Sequence, residues 1–95
     1  MAASPSALLE AVLFAEGGPV TKKRAATLIG VAEGSLEGAV AELDAALQGR
    51  GLALIETAGE LELRTAPATA DVIQKHRESE RSRALGRAGL ERLAI

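Results

Sequence analysis

The apolar positions of the chain recur first at helical and then at strand spacing. Leu8, Leu9, Val12 and Leu13 fall within one wide arc at 100° per residue, whereas Glu10 and Phe14 point the other way. Ser4 and Pro5 precede that pattern with the chemistry of a helix start: a hydroxyl to cap a free N–H and a ring that presets φ. A first helix is therefore expected from Pro5 to Ala15, and Gly17, Gly18 and Pro19 break the chain after it. Thr21 is the next cap. Ala25, Leu28 and Ile29 then recur at helical spacing until Gly30 supplies a stop, which predicts a short second helix.

The third pattern is the clearest. Leu36, Val40, Leu43 and Leu47 lie on one stripe within about 60° of arc, predicting a helix from Glu33 to Gln48 with that stripe against the core. Gly34 and Gly38 each cost about 1 kcal/mol relative to Ala, so the first turns are expected either to fray or to approach another backbone closely. The period then changes to two. The runs Leu52 to Glu56 and Leu61 to Thr65 flank Thr57, Ala58, Gly59 and Glu60, which reads as a hairpin around a Gly-containing turn. Strict alternation of Leu61, Glu62, Leu63 and Arg64 gives the second strand one buried and one wet face. Two strands alone are marginal, so the hairpin is expected to lie against the helices.

Thr65, Ala66 and Pro67 open a fourth helical segment that carries Val72 and Ile73. His76 is read as lying near a helix end, where a cation suits the dipole. From Arg77 to Arg83 the composition turns to charge and reads as a linker or solvated helix end. Apolar residues return at Leu85, Ala88, Leu90, Leu93, Ala94 and Ile95. The expected division is a winged-helix domain over residues 1–76, then a charged linker and the start of a truncated second winged-helix domain over 77–95.

Composition changes this picture in three ways. The 95 residues fit one domain, and with 20 Ala, 14 Leu and Phe14 as the only aromatic, its core is thin and aliphatic, which favours help from a partner chain. The absence of Cys excludes disulfides, thiolate zinc sites and cysteine nucleophiles, and a single histidine cannot build a His-rich metal site, so no cofactor or metal is expected. The N-terminal stretch lacks the basic start and apolar length of a signal peptide, which leaves a cytoplasmic expectation and no membrane partner. A net charge of −2 gives no general attraction to phosphate, so any nucleic-acid contact would rest on a local patch.

Helix, helix, helix, hairpin, helix is the order of a winged helix-turn-helix: an α+β fold, mainly helical, with a two-stranded wing. Such a scaffold serves both DNA readers and protein adaptors. A DNA reader needs basic or amide side chains on the outward face of its third helix. Here that helix carries Glu33, Glu37, Glu42 and Asp44 and no Lys or Arg, with Ala41 and Ala45 opposite the core stripe. An apolar strip edged by carboxylates is closer to a protein contact than to a groove reader, although an ordinary solvated helix has the same pattern. Lys22, Lys23 and Arg24 form the best basic patch, and with Arg64 on the wing they support the alternative of a small DNA-binding transcription regulator. No catalytic constellation is present. The serines have no base in a recognisable motif, and Gly17–Gly18 lacks the Gly-Lys-Ser/Thr continuation of a phosphate loop.

Three stretches together resemble the N-terminal part of the segregation and condensation protein B (ScpB) family. LLEAVLFAEGGPVTKKRAATLIG, Leu8 to Gly30, is similar to the family's opening helix, Gly-Pro turn and second helix. RGLALIETAGELELRTAP, Arg50 to Pro67, is similar to its wing, and LGRAGLERLAI, Leu85 to Ile95, to the start of its second winged-helix domain. Leu61 stands where the family often has an aromatic, and Gly89 and Arg92 where it usually has Ala and Thr. The resemblance implies a non-enzymatic, dimerising adaptor subunit of the bacterial SMC–kleisin condensin complex, acting in chromosome condensation and segregation. The partners it implies are a second copy, the kleisin subunit ScpA and SMC, with nucleoid association through the complex and no direct DNA contact by this chain. Leu8, Val12 and Phe14 on the first helix are the candidate dimer interface. Phe14 tucked beneath the wing or the fourth helix is the alternative.

Overall fold

The structure, a computed structural model, describes residues 2–93, with side chains to residue 86. Helix α1 spans Pro5–Glu16, and Ser4 caps it by accepting a hydrogen bond from the Ala7 N–H at 3.2 Å. Gly17, at φ +70°, ends it in the left-handed region that favours glycine. A short strand β1, Val20–Thr21, leads into α2, Lys22–Ile29, whose cap is Thr21 through the Arg24 N–H at 3.1 Å. Helix α3 spans Glu33–Leu47, and strands β2, Leu52–Thr57, and β3, Glu60–Thr65, form the hairpin. A single 3₁₀ turn, Pro67–Thr69, precedes α4, Ala70–Leu93.

Among the described residues, ten form the core: Leu9 and Leu13 of α1, Val20, Ala25 and Ala26, Leu36, Ala39, Val40 and Leu43 of α3, and Leu61 of β3. It is aliphatic throughout, and its three alanines let α1, α2 and α3 approach closely. The α3 stripe is in place, with Leu47 half-buried at its end. On α2 the buried face is Ala25 and Ala26 with Ile29 beside them, while Leu28 is exposed. At 100° per residue Leu28 falls outside the arc that holds those three, which corrects the expected stripe. Gly34 and Gly38 meet neither expectation: α3 is continuous from Glu33, and a Cβ at either glycine would enter open space.

The wing has a third strand. The sheet order is β1-β3-β2, antiparallel throughout, with Val20 opposite Leu61 and Thr21 opposite Glu60. Val20 and Leu61 are both buried, and the Lys22 N–H donates to the Gly59 carbonyl at 2.9 Å, so this short pairing ties the root of α2 to the tip of the hairpin. The turn is two residues, Ala58 and Gly59, at φ +40° and +82°, the type I′ geometry whose twist matches the strands. The hairpin lies across the helices, β2 against α3 and β3 against α1. This is a winged helix-turn-helix with a three-stranded sheet.

Helix α4 passes through position 76 without a break, so His76 lies inside the helix rather than at its end. The main packing partner of α4 is the 3₁₀ turn, and Val72 and Leu85 are exposed on it. The expected apolar positions Ala94 and Ile95 lie outside the described residues.

Candidate functional site

Two surfaces carry chemistry: an apolar shelf beside α1 and an acidic face on α3. On α1 the three candidate interface residues do not form one patch. Leu8 and Val12 flank one side of the buried Leu9–Leu13 stripe and Phe14 stands on the other. Leu8 is 39% exposed, Val12 half-buried and Phe14 76% exposed, so Phe14 is not a core residue. It borders a shallow depression of about 280 Å³ with Ala7 and Ala11 of α1 and Leu52 and Leu63 of the hairpin. Sequence reasoning missed Leu52 and Leu63. The signal that finds them is the strand register: Leu54 faces Leu63 and Leu52 faces Thr65, which puts Leu52 diagonal to Leu63 on the sheet face that packs on the helices.

Three of the four basic candidates are engaged by carboxylates. Lys22 Nζ donates to Glu37 of α3 at 3.2 Å and to Glu56 of β2. Arg24 lies 3.8 Å from Glu16, and Arg64 donates to Glu62 at 2.8 Å. Lys23 is exposed. Three of these four cations are thus matched by four carboxylates, and Arg64 sits about 13 Å along β3 from the level of Thr21. They do not converge into a phosphate-binding patch. The hydrogen bond to Glu56, then that to Glu37, raises the Lys22 pKa above its ordinary value of 10.5.

Among the described residues, no group of three or more His, Asp or Glu side chains is placed to hold a metal ion, and no helix is long and apolar enough to cross a membrane.

Residues 7–95 match the family model of the segregation and condensation complex subunit ScpB. The chain belongs to this family. Segregation and condensation protein B of Symbiobacterium thermophilum is 40% identical over 90 residues, covering 93% of this chain and 41% of that protein. The protein of the same description from Syntrophotalea carbinolica is 37% identical over 91 residues, covering 94% of this chain and 46% of its own length. The chain therefore spans less than half the length of either ScpB relative. A crystal structure of a dimer of the ScpB N-terminal domain complexed with ScpA peptide matches with a TM-score of 0.67 and 30% identity, over 74% of this chain and 90% of that one.

Proposed function

We propose that this chain is the N-terminal winged-helix part of a non-enzymatic adaptor subunit of a bacterial SMC–kleisin complex. It works in chromosome condensation and segregation by pairing with a second copy and presenting surfaces to the kleisin ScpA and to SMC. The observation that carries this reading is the likeness to an ScpB N-terminal domain crystallised as a dimer with ScpA peptide, which extends over 90% of that chain. The acidic face of α3 supports it, because a helix with four carboxylates and no cation repels the phosphate backbone that a groove reader must approach. In this reading residues 1–76 form the winged-helix domain, and 77–95 are a charged linker and the start of a second such domain. The setting is cytoplasmic, at the nucleoid.

Self-association uses the face of α1 that bears Phe14, where a large exposed aromatic and a thin core both gain from a second copy. Sedimentation velocity tests the whole reading with the chain alone, with ScpA of the same bacterium, and with a short DNA duplex at low salt. The expected result is a dimer that carries ScpA and leaves DNA free. Phe14→Glu weakens the dimer by about tenfold or more with helical content unchanged. A monomer that forms a salt-sensitive DNA complex would instead make the chain a regulator acting through Lys22, Lys23, Arg24 and Arg64.

A further inference from the structure

We propose that the outer edge of β2 and the groove between it and α3 take an extended segment of a partner protein as a fourth strand of the sheet. The groove-facing side chains of that segment are basic, small apolar, and basic again. β2 ends the sheet among the described residues, and its register with β3 runs from Leu52–Thr65 to Thr57–Glu60 without a bulge. Because the two-residue turn makes Thr57–Glu60 a hydrogen-bonded pair, the alternation of an antiparallel ladder turns the main-chain N–H and C=O of Glu56, Leu54 and Leu52 outward. Natural proteins blunt such edges with Lys, Pro, bulges or very short strands. The six residues of β2, LALIET, carry no Lys, Pro or bulge, and their one charge, Glu56, is paired with Lys22, whereas the opposite edge, β1, is only two residues long.

The side chains beside this edge select its occupant. Leu54 and Glu56 of β2, with Glu37, Val40, Ala41 and Asp44 of α3, line a groove of about 320 Å³. Lys22 joins Glu37 to Glu56 at one end, and among the described residues Asp44 has no cation within salt-bridge distance. The groove is therefore acidic at both ends and apolar between, over the roughly 10 Å that α3 rises from Glu37 to Asp44. An added strand directs every second side chain into it at about 3.3 Å per residue, so three groove-facing side chains, carried by five residues over about 13 Å, cover that length. Main-chain pairing supplies affinity and the charges supply register, the mode of β-strand addition.

The inference rests on the adaptor reading for the existence of a protein partner, and the test separates the two. The first probe is an acetylated peptide with a Lys-Thr-Val-Thr-Lys core, titrated against the full chain by fluorescence anisotropy. Binding is expected to weaken about tenfold with Asp44→Lys and with Leu54→Pro, which removes an outward N–H without touching the β2–β3 ladder. Methylating the peptide's Lys and Val amides, which face β2 in antiparallel pairing, should abolish binding, whereas methylating its Thr amides should leave it intact. This comparison holds even if Leu54→Pro fails to fold. The second probe is ScpA of the same bacterium. If ScpA does not bind while the peptide behaves as described, the adaptor reading falls and the edge site stands. If ScpA binds and neither variant alters the binding of either probe, the edge site is wrong. Equal loss from both methylation patterns, or conversion of a dimer to a monomer by Leu54→Pro, also overturns it, the latter by giving the edge to a second copy.

Discussion

Lys22 is where three elements meet. It opens α2, its N–H holds the Gly59 carbonyl at the hairpin tip, and its ammonium joins Glu37 of α3 to Glu56 of β2. Those carboxylates, Glu56 first, favour the charged form and lift the Lys22 pKa above 10.5. A raised folded-state pKa means that the pairs contribute fully below 10.5 and are lost as the pH rises through the higher folded value. In urea unfolding from about pH 8 to pH 12, the wild-type midpoint should therefore fall more steeply than that of Lys22→Met at the alkaline end. Parallel curves would show that these exposed pairs add nothing. Residues whose role is local were legible in the sequence: Ser4 and Thr21 cap the helices expected of them, and Gly17 and Gly30 end them. The partners of Lys22 were not, because they stand 15 and 34 residues away.

Among the elements, α3 shows how far periodicity reaches. Its stripe was readable because every side chain in it repeats on one helix face and packs against the same core. Its glycines were not, because open space beside a residue leaves no trace in spacing. Gly38 is exposed inside the helix with nothing within 4 Å of the position of an added Cβ. Gly38→Ala should accordingly stabilise the chain by about 0.5 to 1 kcal/mol, seen as a higher urea midpoint with an unchanged slope. A lower midpoint would mean that the glycine serves a contact with a partner. The hairpin was legible from its alternation and turn, and β1 was not. Two residues carry no period, and Val20–Thr21 becomes a strand only because Leu61 is there to pair with it. Leu28 was misplaced for a related reason: on a helix of eight residues, two neighbouring alanines can form the buried face and leave a leucine outside.

At the scale of the whole molecule, the principal extents of 59 × 32 × 28 Å and a radius of gyration of 18.1 Å depart from the roughly 12 Å of a compact chain this long. The cause is α4, a 24-residue helix about 36 Å long whose packing is confined mainly to the turn before it. A chain ending at His76 should unfold within about 0.5 kcal/mol of the full chain, followed by far-UV circular dichroism because there is no Trp or Tyr. A larger loss would mean that α4 supports the core. The sequence alone determined the order of helices and hairpin, their caps and breakers, the buried stripe of α3 and the family, because each is written in residues close along the chain or in recurring motifs. The tertiary structure decided the third strand, the shelf that Phe14 forms with Leu52 and Leu63, and the open edge of β2 beside an acidic groove. Each of these depends on which distant segments the fold brings within contact distance, and local spacing carries no record of that.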